Sequence, residues 1–189
     1  MELYDAFDRA IASTAAIVTT VRPDQVAVPT PCTEWDIRDL LNHIIGTLWL
    51  SEALLSDRAP RYPMAPGGLP GTDLADEDPA AAYAEASAAA LAAAMGDTLT
   101  RMHTTPLGDM PGPALAGFTT LDIHIHGWDL AKATGQPAGL DDALVAHALA
   151  FAQQAITPGT RAPRIGPALP VAADAPLTNR LVAFLGRHP

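Results

Sequence analysis

"GPALAGFTTLDIHIHGWDLAKATG", residues 112–135, is the stretch that decides the fold, because it has the length and periodicity of one long helix. A helix turns about 100° per residue, so side chains four positions apart share a face, whereas side chains two apart point in nearly opposite directions. Asp122 and His126 therefore share a face, and His124 points away from it. The helix is predicted to end at Gly135, which suits a left-handed C-cap.

Two helices are predicted near the N-terminus. Apolar residues recur at helical intervals over Leu3–Val21, and Pro23 then ends the pattern. Thr33 precedes Asp36 by three residues, which is an acid-for-Glu variant of the capping box. This signal predicts a second helix over 34–55.

A third helix is predicted after a long connection. Residues 56–78 are rich in Pro and Gly and lack periodicity, so they are expected to form a mobile crossover loop. Asp78 is suited to an N-cap and Pro79 to the first helical position. The segment AAAYAEASAAALAAAM (80–95) then continues as a helix whose alanines permit close approach to its neighbours.

The rest of the chain favours shorter helices, in LDDALVAHALAFAQQAI (140–156) and LTNRLVAFLGRHP (177–189), with a Pro-rich connection between them. Alanine dominates the apolar residues, which favours packed helices over a β sandwich. We therefore predict an all-α fold, a four-helix bundle with a long crossover between helices two and three and with short C-terminal helices. Residues 1–189 are expected to form one domain, and the small residues on its surface predict a homodimer.

The charge of the chain excludes some classes of partner. Its 21 acidic and 11 basic residues give a formal net charge of −10, so binding to nucleic acid is not expected. No window is long and apolar enough to span a bilayer, and the N-terminus lacks the pattern of a signal peptide. These features predict a soluble, cytoplasmic protein with no membrane partner. The single cysteine, Cys32, has no neighbour in the sequence that would make it a reactive thiol.

The second helix supplies a candidate partner for the acid and histidine of residues 112–135. His43 shares a helical face with Leu50 and Leu54, so it is expected to face the interior. Imidazole nitrogens and a carboxylate are metal ligands, and three of them leave a position for water or substrate. His43, Asp122 and His126 are therefore candidate ligands of a divalent metal. The alternative is that both histidines are hydrogen-bonded core residues and that Asp122 neutralises His126.

Other polar residues of these helices are given different roles. Asp129, one turn after His126, is expected to accept the second N–H of that histidine or to pair with a buried arginine such as Arg38. His124 is expected at the surface or packed between helices. The remaining histidines are not expected to bind metal: His103, His147 and His188.

Three stretches carry a family resemblance: TPCTEWDIRDLLNHIIG (30–46), DIHIHGWDLAKATG (122–135) and RLVAFLGRHP (180–189). They resemble an actinobacterial metal-binding family of the DinB-like superfamily, which also contains the N-terminal domain of mycothiol-dependent maleylpyruvate isomerase. The resemblance implies a four-helix bundle and a divalent metal, zinc in the isomerase, with nickel or iron as other candidates. Matched to this chain, the implied ligands are His43, Asp122 and His126. Isomerase-like relatives carry Glu where this chain has Asp122.

Three functional hypotheses follow. In the first, a bound metal with an open position activates a small electrophile, a water molecule or a low-molecular-weight thiol such as mycothiol, which makes the chain a transferase or isomerase. The resemblance favours thiol chemistry. In the second, the chain binds a metal or small ligand without turnover. In the third, it is a structural bundle whose site has degenerated.

Overall fold

The computed structural model describes residues 1–106, 108–139, 141–161 and 165–189. Within these ranges the chain is mostly helical and contains one short antiparallel hairpin. The elements are α1 (Leu3–Val18), α2 (Ile37–Leu55), α3 (Pro79–Ala93), β1 (Met102–Thr105), β2 (Gly108–Pro111), α4 (Gly112–Thr134), α5 (Asp142–Ala155), α6 (Pro158–Arg161) and α7 (Leu177–Phe184). The predicted dominance of helix is confirmed, but the all-α prediction missed the hairpin.

The chain divides into two compact units, residues 2–138 and residues 139–189 together with Met1. The first unit contains α1 to α4 and the hairpin, and the second contains α5 to α7. A single domain over 1–189 stays a prediction.

In the first unit, α1 packs against α3 and α4, and α2 packs against the same two helices. Gly127 lets α4 approach α1 closely, because a Cβ atom at that position would overlap the Thr14 side chain. Thr14 Oγ1 donates a hydrogen bond to the Ile123 carbonyl oxygen at 3.1 Å. This close contact helps to fix the rotation of α4 about its axis. The largest side chains of the core are Phe7, Ile37, Leu40, Leu41, Ile44, Ile45, Leu48, Leu55, Tyr83, Ile123 and Leu130.

The start of α2 differs from its prediction. Asp36, and not Thr33, is the N-cap, since the Asp36 carboxylate accepts the Asp39 N–H at 2.9 Å. The preceding backbone forms a turn in which the Trp35 N–H donates to the Cys32 carbonyl oxygen at 2.8 Å. This turn competes with the first helical turn that the capping-box pattern predicted.

The other predicted helix ends agree more closely with the structure. The Asp78 carboxylate accepts the Ala81 N–H at 2.9 Å and caps α3. Gly135, with a φ of 72°, is the left-handed C-cap of α4. Helix α1 ends at Val18, short of the prediction, and a separate 3-10 turn forms at Pro23–Gln25. The ring of Pro23 fixes its φ near the helical value, which favours the start of this turn.

The crossover between α2 and α3 is hydrogen bonded to α2. Asn42 Nδ2 donates to Asp73 Oδ1 at 3.0 Å, and Asn42 Oδ1 accepts the backbone N–H groups of Leu74 and Ala75. Arg38 forms an ion pair with Asp73. These contacts anchor the last part of the crossover to α2. The mobility expected of the whole loop stays a prediction.

The hairpin precedes α4, in a stretch for which the sequence predicted no regular element. His103 on β1 is 1% exposed. Its Nε2 lies 2.7 Å from the Thr98 carbonyl oxygen, and its Nδ1 lies 3.1 Å from Asp57 Oδ1. Because Asp57 follows α2 directly, the contact ties the hairpin to the end of that helix.

In the second unit, α5 packs against α7. The Asp141 carboxylate accepts the Ala143 N–H at 2.8 Å and caps α5. Helix α6, a single turn that the sequence did not predict, carries Arg161, which donates to the carbonyl oxygens of Gly166 and Phe184 at 2.8 Å each. Across the described parts of both units, no helix combines the length and apolar character needed to cross a membrane.

Candidate metal centre

Helices α2 and α4 bring the three predicted ligands together. His43 Nε2 lies 3.0 Å from Asp122 Oδ2, and His126 Nε2 lies 3.6 Å from Asp122 Oδ1. The two imidazole rings meet edge to face, with centroids 4.7 Å apart. One ligand atom of each residue lies within 4.8 Å of the other two. The aspartate side chain is therefore long enough to reach both histidines.

Hydrogen bonds on the far side of each ring decide which nitrogen faces the cluster. His43 Nδ1 lies 2.6 Å from the Gly68 carbonyl oxygen, which can only accept, so this nitrogen carries a proton and donates. His126 Nδ1 lies 2.9 Å from Asp129 Oδ2 and donates to it in the same way. Both neutral rings then present an Nε2 lone pair to Asp122. Such contacts on the far nitrogen are typical of histidines that bind metals.

The donor set fits a divalent cation. Zinc binds nitrogen and oxygen ligands at about 2.0–2.2 Å, which in a tetrahedral site separates ligand atoms by about 3.3–3.6 Å. The 3.0 Å distance joins His43 Nε2 to Asp122 Oδ2 and the 3.6 Å distance joins His126 Nε2 to Asp122 Oδ1, so binding of one ion through a single carboxylate oxygen needs a shift of the Asp122 side chain. Two lone pairs and a carboxylate that face one another repel unless a cation lies between them. Without a metal ion, a proton on His43 Nε2 would remove this repulsion by forming an imidazolium–carboxylate pair with Asp122.

The electrostatic environment favours the ligand forms of these groups. Burial raises the pKa of Asp122, but the charges of His43 and His126 outweigh it, so this pKa lies well below its usual range. Burial lowers the pKa of His126, and the carboxylates of Asp122 and Asp129 only partly oppose that shift. At neutral pH the cluster therefore contains a carboxylate and a neutral imidazole, as metal binding requires.

Trp35 covers the cluster from one side. Its ring centroid lies 4.6 Å from that of His43 and 5.8 Å from that of His126. The side chains of His43 and His126 are 11% and 9% exposed, whereas that of Asp122 is 32% exposed. Solvent therefore reaches the cluster from the Asp122 side.

The structure adds Cys32 to the surroundings of this site. Cys32 Sγ lies 3.3 Å from Asp129 Oδ2 and 3.7 Å from His126 Nδ1. Cys32, His126 and Asp129 form a second group of close ligand atoms among the described residues. Reasoning from local sequence found no charged partner for Cys32, since those partners lie on α4. The one sequence feature that could have linked Cys32 to the site was its position in the TPCTEW stretch, which carries part of the family resemblance.

Asp129 makes the contact with the second ring nitrogen of His126 that the sequence predicted. Arg38, its alternative partner, pairs with Asp73 instead. His124 is 1% exposed, which rules out the surface position and agrees with packing between helices. It belongs to neither group of close ligand atoms found in the described parts of the chain.

These features define a class of protein: a helical chain with a His–Asp–His cluster between two long helices. The chain belongs to the family of the mycothiol maleylpyruvate isomerase N-terminal domain, whose sequence profile matches residues 7–131. The matched range contains the three candidate ligands and the residues that contact them. This finding confirms the resemblance drawn from the sequence.

Two mycobacterial proteins are similar over nearly the whole chain. "Uncharacterized protein MT0763" of Mycobacterium tuberculosis (strain CDC 1551 / Oshkosh) is 35% identical over 192 residues, which cover 99% of this chain and 98% of that protein. "Uncharacterized protein Rv0738" of M. tuberculosis (strain ATCC 25618 / H37Rv) matches with the same identity and coverage. Neither name states an activity. No solved structure matches this chain significantly.

Proposed function

We propose that this chain is a divalent-metal-binding protein with a DinB-like four-helix bundle, and that it acts as a metal- and thiol-dependent transferase or isomerase on a small electrophile. The observation that carries the proposal is the convergence of two imidazole nitrogens and one carboxylate in a cluster that is exposed to solvent on the Asp122 side. The proposed ligands are His43, Asp122 and His126. Zinc is the proposed ion, with nickel or iron as other candidates, and the family supports mycothiol as the thiol.

A divalent ion with an open position polarises an electrophile or lowers the pKa of a bound thiol or water. The residues around it have separate tasks. The Gly68 carbonyl oxygen and the Asp129 carboxylate hold the two imidazoles in the tautomer that binds metal. Trp35 excludes water from one side, and the exposed side of Asp122 admits the reactants.

The charge of the proposed site favours an anionic ligand. Two neutral imidazoles and one carboxylate leave a divalent ion with a net charge of about +1. A thiolate or an acidic electrophile would neutralise it. The Trp35 ring, whose centroid lies 4.6 Å from that of His43, replaces solvent on one side of the cluster and so strengthens this attraction.

The chain is also proposed to act in the cytoplasm as a homodimer, without nucleic acid or membrane partners. The negative net charge supports the absence of a nucleic acid partner. Light scattering over a micromolar concentration range tests the dimer, and a monomeric mass throughout contradicts it.

Turnover is tested with purified protein loaded with zinc, supplied with mycothiol and a panel of small electrophiles that includes maleylpyruvate. We expect thiol-dependent conversion of at least one electrophile, with loss of activity in His43→Ala and His126→Ala. His124→Ala is the matched control, since it removes a buried imidazole from the same helix and leaves the proposed ligands in place.

The outcomes separate the hypotheses. Conversion that needs both metal and thiol supports the proposal. Bound zinc with saturable thiol binding but no conversion favours the alternative, a protein that binds a metal or small ligand without turnover. A folded protein that retains no divalent metal after dialysis contradicts both.

A further inference from the structure

The cluster of Cys32, His126 and Asp129 combines soft and hard ligand atoms on the far side of the His126 ring. Sγ, Nδ1 and Oδ2 lie 2.9 to 3.7 Å from one another. A tetrahedral ion with bonds of about 2.3 Å to sulfur and about 2.0–2.2 Å to nitrogen and oxygen separates its ligands by about 3.3–3.7 Å. The three atoms therefore need only small shifts to bind one ion.

The surroundings hold this cluster in place. Asp129 and His126 are buried, while Cys32 is half-buried. The Cys32 N–H donates to Thr30 Oγ1 at 3.1 Å, and Thr30 Oγ1 donates to the Trp35 carbonyl oxygen at 2.8 Å. The turn that carries the thiol is thus fixed before any ion binds.

We infer that Cys32, His126 and Asp129 form a second cation site for thiophilic divalent ions, and that it cannot be filled together with the first. The reason for exclusion is His126, whose Nδ1 serves the second site and whose Nε2 serves the first. A neutral imidazole has only one nitrogen lone pair in the ring plane.

Ion binding at the second site moves two protons. The Cys32 S–H proton is released to solvent, and the ring proton of His126 moves from Nδ1 to Nε2. There it faces Asp122 Oδ1, which lies 3.6 Å away and accepts it once the two groups move several tenths of an ångström closer. The ion receives a thiolate, a carboxylate and a neutral imidazole, so a divalent charge is neutralised. Because one of its ligands is a thiolate, which the first site lacks, the second site suits ions that prefer sulfur.

Cadmium is the probe, because a bond between thiolate and cadmium produces an ultraviolet charge-transfer band. Cys32 is the only cysteine of the chain, so any such band reports on this residue. We expect the wild-type protein to show the band at saturation with one equivalent of cadmium. Cys32→Ser should remove the band, with retained folding checked by circular dichroism.

His43→Ala keeps the second site and removes a ligand of the first, so it should retain the band while its affinity for zinc falls. In wild-type protein, cadmium should displace zinc, and one zinc ion should be released for each cadmium ion that binds. Absence of the band in folded wild-type or His43→Ala protein overturns the site. A full band with zinc still fully bound overturns the exclusion. Because the band depends on Cys32 alone, this test stands even if the proposed thiol chemistry fails.

Discussion

Gly68 offers a sharp test of how the crossover supports the proposed metal centre. Its φ is +85°, and a Cβ atom there would lie 3.3 Å from Trp35 Cζ2 and 3.4 Å from His43 Nδ1. The left-handed region costs an ordinary L-residue about 1–2 kcal/mol. Gly68→Ala therefore strains the backbone and crowds the Trp35 ring, so the carbonyl oxygen that accepts the His43 N–H should move.

The expected result has two parts. If the loop keeps its position, the free energy of unfolding should fall by about 1–2 kcal/mol. If the loop moves, His43 loses its orienting contact, and loss of such a contact weakens metal affinity by roughly 10–100-fold. Zinc affinity is measured by competition with a chromophoric chelator, and stability by urea unfolding.

Gly67→Ala is the matched control, because a Cβ atom at Gly67 meets no other atom within 4 Å. It should leave both zinc affinity and stability close to those of the wild type. If Gly68→Ala also leaves both unchanged, then the crossover does not position His43 in the way described.

Two further changes test the packing and the anchoring of the first unit. Gly127→Ala should lower the free energy of unfolding by about 1–3 kcal/mol in urea titrations, because the added Cβ overlaps Thr14; adding Thr14→Ala should restore part of this loss, and full additivity would contradict the proposed clash. Burial raises the pKa of Asp73, but hydrogen bonds from Asn42 and Arg38 outweigh it and hold this pKa below its ordinary value of 3.8. A lowered carboxyl pKa stabilises the fold above pH 3.8, and the effect is lost as pH falls through the folded-state pKa. Asp73→Asn should therefore destabilise the protein at pH 7 and have less effect at pH 2, as urea unfolding at both values would show; an equal loss at both would contradict the ion pair's role.

The long helices could be predicted because their signals are local and periodic. The helical repeat placed Asp122 and His126 on one face, and the inward direction of His43 followed from its apolar neighbours. The Gly135 cap needed only a glycine at the end of that pattern. The start of α2 was predicted three residues too early, because the Thr33 pattern is typical of an N-cap, whereas the turn at Cys32 makes Asp36 the N-cap instead.

The surroundings of the site depend on contacts that no local pattern encodes. Gly68 reaches His43 across 25 positions of the sequence, and Cys32 reaches Asp129 across 97. Both lie in segments without periodicity, where hydrophobic spacing says nothing about position. The hairpin was missed because each of its strands has only four residues, which is too short for a recognisable alternating pattern.

The most direct test of the central claim is the zinc content of purified variants after equilibration with excess zinc and dialysis. Wild-type protein and His124→Ala should retain stoichiometric zinc, whereas His43→Ala and His126→Ala should lose most of it. Asp122→Ala should bind zinc more weakly, since two imidazoles and water still hold an ion loosely. If His124→Ala loses the metal and His126→Ala keeps it, the assignment of ligands to these faces of α2 and α4 is wrong.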